Sequence, residues 1–174
     1  MCLFTQEMKP SVTEKDIVCY KVVKIVNYDI FLTPYVDLKI PEDVISGEKE
    51  FFADDVKKIV FNELVSLYEI SGGYIHTFST LEEAKTCIIH GLTSQYMQEF
   101  NIRLVAYECI IPKGTKYFTG YAENGRYYNI YYKNKINMPI NSYASDKIKF
   151  IKQISNYEMF DEISKPMKCQ STKK

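Results

Sequence analysis

The side chains of this 174-residue chain best suited to chemistry are two histidines, five cysteines, a Ser-Thr pair ahead of a helix and one late aspartate. His76 sits in the run Tyr74-Ile75-His76-Thr77-Phe78, where strand alternation places it on one face with Tyr74 and Phe78. An imidazole titrates near neutrality and can move protons, but a single one without a partner is usually a hydrogen-bonded structural group. His90 falls at the end of a helix, where a cation is favoured. Cys87 and His90 share a helix face at i, i+3, yet two ligands are too few for zinc, so no metal site is expected. The thiols are Cys2, Cys19, Cys87, Cys109 and Cys169. None stands at a glycine-flanked turn before a helix, where a thiolate would be stabilised as a nucleophile. Cys19 and Cys109 lie in apolar runs and read as small hydrophobes. No Walker loop or GxGxxG is present to cradle phosphate.

A tyrosine-rich stretch offers binding rather than catalysis. Tyr117, Phe118, Tyr121, Tyr127, Tyr128, Tyr131 and Tyr132 cannot all face one core if their strands alternate. Exposed tyrosines beside Arg126, Lys133 and Lys135 suit a protein or nucleic-acid contact. The plainer alternative is tyrosine lying on a sheet with its hydroxyl in water. Lys plus Arg and Asp plus Glu number 22 each, so no net field draws nucleic acid, and protein is the expected partner. Tyr121, Tyr127, Tyr128 and Tyr131 are the expected binding surface.

The elements that would position these groups read as follows. Residues 1–15 form an irregular arm. The β-branched run 17–26 is a strand, and 40–47 is a turn or short helix closing at Gly47. Apolar positions 56, 59, 60, 64 and 67 approach helical spacing, which predicts a helix near 54–65. Gly72-Gly73 turns the chain into a strand at 74–78. Ser79 or Thr80 then caps a helix with Glu82 and Glu83 in its first turn, and Gly91 ends it. A strand at 102–111 leads through Pro112-Lys113-Gly114-Thr115 to the strand beginning at Tyr117. Asn124-Gly125 predicts a hairpin returning at 127–132. After a loop at 133–142 come a closing strand at 145–154 and a short helix at 155–165.

The result is one α+β domain over 16–164, with a mainly antiparallel, tyrosine-rich sheet, two or three helices and a flexible basic tail at 165–174. A hydrophobic fraction of 46% and a charged fraction of 25% are those of a globular protein. Scattered thiols, no CxxC and no secretory leader point to a reducing cytoplasm. No apolar run nears the ~20 residues a spanning helix needs. Abundant Lys, Ile, Asn and Tyr suggest an AT-rich bacterial or phage genome.

Two resemblances extend this reading. Met1-Cys2-Leu3-Phe4, Ile17 to Val22, Gly73 to His76, Ile111 to Tyr117 and Tyr143 to Ile148 together resemble a group of small proteins of gut bacteria and their phages, which has no established activity to pass on. The order of elements is also similar to the ADP-ribosyltransferase fold. There one strand carries an Arg or His, a second carries a Ser-Thr-Ser or Tyr element before a helix, and a last strand after a Pro-Lys-Gly-Thr turn carries a catalytic Glu. Tyr20 or Lys21 would take the first place here, Thr77-Phe78-Ser79-Thr80 the second, and Ser145-Asp146 the last. Asp146 is one methylene shorter than the family's glutamate, a change in reach that matters where geometry is demanding.

Two functions are therefore expected. The first is a non-enzymatic binding or accessory protein that needs no cofactor. The alternative, implied by the resemblance, is a divergent NAD-binding ADP-ribosyltransferase-like protein. In it Asp146, His76 and Ser79 would be catalytic, with Tyr20 and Thr80 toward the cofactor.

Overall fold

The computed structural model describes residues 3–34, 37–54, 56–63, 66–92, 102–122 and 141–155, apart from the side chains of 90–92. The longest strands are β3 (Ile17–Val26) and β9 (Ile102–Ile111). They pair in unbroken antiparallel register from Ile17 opposite Ile111 to Val26 opposite Ile102. Both are rich in Val, Ile and other residues that fit a sheet buried on both sides. On the outer side of β9 runs β12 (Lys147–Gln153), followed by the two-residue β5 (Phe51–Phe52). The short β4 (Ile30–Leu32) folds back on β3.

On the other side of β3 come β8 (Ile75–Phe78), β11 (Ser142–Ser145) and β10 (Lys116–Ala122). The sheet continues through β1 (Leu3–Thr5), β7 (Leu67–Gly72) and β6 (Lys58–Asn62), with β2 (Ser11–Val12) beside β10. Every described pairing is antiparallel, and two helices complete the described residues: α1 (Glu42–Ile45) and α2 (Leu81–Leu92). The class is α+β, strongly dominated by sheet.

This sheet cannot be flat. β11 and β12 are separated by β8, β3 and β9, four strand spacings or roughly 19 Å across a flat sheet. Yet Asp146 alone joins them, and two peptide links reach only about 7 Å. The junction between β3 and β8 supplies the fold line, because those strands share one register pair, Tyr20 opposite Phe78. The sheet therefore bends there, and its two halves face one another.

Core composition agrees. Ile75 of one half is buried in the same cluster as Cys19, Val23, Cys109 and Phe150 of the other, and Ile40, Val44 and Phe51 close that cluster. On the opposite face α2 spans the fold line, burying Ala84, Cys87 and Ile88 against Val22, Ala106, Phe78 and Ala122. Thr80 accepts from the Glu83 N–H at 3.3 Å through Oγ1, as its position before the helix predicts.

Several expectations change. The arm at 1–15 contains β1, whose Leu3 is fully buried because that strand is paired on both sides, by β10 and β7. The helix expected near 54–65 is strand β6 over residues 58–62, where β-branched Ile59 and Val60 pair with β7. The single closing strand is two strands broken at Asp146, since each half must pair in its own half-sheet. The hairpin at Asn124-Gly125, the returning strand at 127–132, and the helix and tail from 156 onward lie outside the described residues.

Candidate functional site at the sheet bend

Where β3 meets β8, the fold gathers polar side chains into an otherwise apolar interior. Lys21 follows Tyr20 and is only 5% exposed. No carboxylate forms an ion pair with it among the described residues. Burial pulls its ammonium down to about 8, against the smaller opposing effects of Cys109, Cys87 and Cys19. His76 occupies the neighbouring strand opposite Ala144. Both its ring nitrogens are buried and find no hydrogen-bond partner among the described residues. Burial first, and then the charge of Lys21, hold it down to about 3, so it is neutral at physiological pH.

The thiols here are inert. Burial pushes Cys19 up to about 12, with the Thr77 hydroxyl and Lys21 pulling weakly the other way. Cys109, directly opposite Cys19 in the ladder, is raised well above its ordinary value, again first by burial. Tyr143, opposite Thr77, is raised by burial and then by Cys19 and Tyr117. The bend thus presents a desolvated amine, a neutral imidazole, and the hydroxyls of Thr77 and Tyr143. No group of three or more His, Cys, Asp or Glu side chains arranged to hold a metal ion occurs among the described residues.

The residues taken from the resemblance divide into separate places. Tyr20 packs on the α2 side, against the cluster holding Val22 and Phe78. Ser79 and Thr80 stand at the start of α2, where the Ser79 N–H donates to the Asn141 carbonyl at 2.8 Å. Asn141 also accepts from the Ala122 N–H through Oδ1 and donates through Nδ2 to Glu83 at 3.5 Å. The carboxylate the fold brings to that end of β8 is therefore Glu83, itself raised by burial and by Glu82.

Asp146 lies at the other end. The register sets Ser142 opposite Phe78 and Ser145 opposite Ile75, so Asp146 and Ser79 flank opposite ends of the β8–β11 pairing. That is roughly 17 Å at about 3.4 Å per residue, too far for one reacting centre. The Asp146 carboxylate accepts from Lys57 Nζ at 2.7 Å, and the same ammonium bonds the Gly73 carbonyl and sits 4.3 Å above the Tyr74 ring. Ser79 and Asp146, two of the expected site residues, thus stand beyond opposite ends of β8, with His76 between them.

Tyr121 is only 7% exposed, which corrects its place on a binding surface, since β10 is buried on both faces at that end. Tyr127, Tyr128 and Tyr131 lie outside the described residues. What sequence reasoning missed is a run of exposed apolar side chains on the chain from β5 to β6. Phe52, Val56, Ile59, Val60 and Phe61 are all exposed there, Val56 at 81% and Phe61 at 51%. The signal was the β-branched run itself, misread as helix. Compared with protein-family models, curated proteins and solved structures, the chain matches none.

Proposed function

We propose that this chain is a cytoplasmic, non-catalytic binding protein, with its contact surface on residues 52–61. The observation that carries this reading is the exposed run of Phe52, Val56, Ile59, Val60 and Phe61. Scattered exposed hydrophobes are ordinary on a protein surface, but five within ten residues bring one segment's apolar side chains into solvent, Ile59 and Phe61 on one face of β6 and Val60 on the other. The experiment is affinity capture with the full chain as bait, comparing wild type with Val56→Ser plus Phe61→Ser and with Tyr128→Ser plus Tyr131→Ser. A partner lost only in the first variant supports this segment. Loss only in the second moves the surface to the tyrosines, and capture unaffected by either sinks both placements.

A second reading has its own support. The strands on which the resemblance to ADP-ribosyltransferases places its residues, β3, β8 and β11, are consecutive neighbours in the sheet, and β8 runs directly into α2. Lys21, in the first-strand place, is the buried cation there. NAD would then bind at the bend, near Lys21 and His76. Ligand at about 100 times its dissociation constant stabilises a fold by about 2.7 kcal/mol, so a thermal-shift titration with NAD tests it. A saturable shift lost in Lys21→Met and His76→Leu supports the site. No shift at millimolar NAD removes this reading.

A further inference from the structure

Tyr20 and Phe78, the one register pair between β3 and β8, both pack on the α2 side. Lys21 and Thr77, the next residues on their strands, therefore turn to the other face, where the two strands part. Lys21 is 5% exposed there, no carboxylate pairs with it among the described residues, and Thr77 is wholly buried. Thr77 Oγ1 finds no hydrogen-bond partner among the described residues beyond the Cys19 thiol. Cys19, Cys109 and Ile75 are buried in the cluster on this face, and Tyr143 packs against it. Burial raises Cys19, Cys109 and Tyr143, so none of the three brings a negative charge at pH 7. Beyond them lie the neutral His76 and, on β9, Glu108, which stands opposite Tyr20 and so on the α2 side. Cys87 approaches from α2.

We propose that the parting of β3 and β8 binds a small monovalent carboxylate between the Lys21 ammonium and the Thr77 hydroxyl. This goes beyond the contact surface on residues 52–61 and is independent of it. A buried cation and a buried hydroxyl that lack acceptors both cost stability, and one anion entering from solvent relieves both. Charge fixes the valence. One ammonium balances one negative charge, and a divalent phosphate or sulfate would leave a second charge unpaired in an apolar interior. A carboxylate also offers two oxygens, one for the ammonium and one for the hydroxyl, where a halide is a single acceptor. The rest of the ligand meets Cys19, Cys109 and Ile75, an apolar lining that suits a short alkyl chain such as that of acetate.

Acetate is the probe, titrated into the full chain at constant ionic strength against chloride and sulfate, with melting temperature as the first readout. Salts shift melting without a site, so the quantity compared is the difference between wild type and Lys21→Met. Wild type should show a saturable rise with acetate that is absent from Lys21→Met, and Thr77→Val should weaken the apparent affinity by about tenfold. At pH 9.5 the wild-type affinity should fall roughly thirtyfold from its value at pH 7, because free Lys21, at about 8, has released its proton. Carbon-13 line broadening of labelled acetate gives a second readout that does not depend on melting, present with wild type and lost with Lys21→Met. An acetate response shared by Lys21→Met, or matched by chloride, overturns the proposal. A Lys21-dependent response to sulfate or NAD with none to acetate overturns the monovalent class. Partner capture through residues 52–61 stands or falls separately, since neither Lys21→Met nor Thr77→Val touches that segment.

Discussion

Tyr20 and Phe78 form the one register pair through which β3 and β8 meet, and the two half-sheets fold over one another about that contact. Phe78 is 1% exposed and packs beneath α2, so its side chain fills the point where helix and both half-sheets converge. Phe78→Ala should therefore lower unfolding free energy by about 3–5 kcal/mol, at the large end for aromatic truncation. Urea unfolding followed by circular dichroism measures it. A loss under about 1 kcal/mol would mean the bend is held elsewhere.

His76 gives the protein an acid-sensitive core. Its folded value of about 3 lies below the ordinary 6.5, so between those limits the unfolded chain binds a proton that the folded one refuses. Stability should rise with pH across that window and be poorest below its lower end. His76→Leu removes this contribution. Melting temperature plotted against pH should be flatter between 3 and 6.5 for the variant, and parallel curves would count against a neutral buried imidazole.

Lys21 acts at the other end of the scale. With its value lowered from 10.5 to about 8, the unfolded chain retains a proton in that window that the folded chain releases. Its penalty is complete below pH 8 and is relieved as pH rises toward 10.5. Lys21→Met, similar in length and uncharged, should stabilise the fold at pH 7 by about 1–4 kcal/mol, because a buried charge with no counter-ion among the described residues is exchanged for packing. Calorimetry at pH 7 and pH 10 checks the sign, and a destabilised Met variant at pH 7 would show that Lys21 is compensated by another group.

Asp146 and Gly73 sit on the same clamp but should respond differently. The ion pair of Asp146 with Lys57 is about one-third exposed on both sides, so Asp146→Asn should cost less than about 1 kcal/mol, and less still at high salt. Gly73 has φ +68°, and a Cβ there would stand 2.2 Å from the Val56 carbonyl oxygen. Gly73→Ala should cost about 2–4 kcal/mol from left-handed strain and overpacking together. Equal losses in thermal melts of the two variants would contradict this account.

Cys19, Cys87 and Cys109 are buried, and Cys19 and Cys109 are held protonated by desolvation. None of the three should react with iodoacetamide at pH 8 in the folded protein, and all should react in denaturant. Peptide mass mapping separates them from Cys2 and Cys169. Labelling of Cys19 in the native state at the rate of a free thiol would be incompatible with the packing at the bend.

Residue order alone was enough to place β3, β8, β9 and the start of α2. Their signals are local: β-branched runs, a threonine cap followed by two glutamates, and a proline-glycine turn. The burial of Cys19 and Cys109 followed from their apolar neighbours in the same way. β6 was misread because Val56, Ile59, Val60 and Leu64 satisfy a helical period as well as a strand, and only pairing with β7 decides between them. The fully buried Leu3 was missed for a related reason, since three residues carry no periodicity and gain their strand from partners over sixty residues away. Long-range register likewise carried Asp146 to Lys57 and Ser79 to Asn141, separating residues that the resemblance had assigned to one site. It buried Tyr121, and it left Val60 and Phe61 exposed on β6. A cap or a turn is settled by bonds a few residues long. Which side chains share a site depends on which strands become neighbours, and that is settled by the burial and backbone pairing of the whole sheet at once.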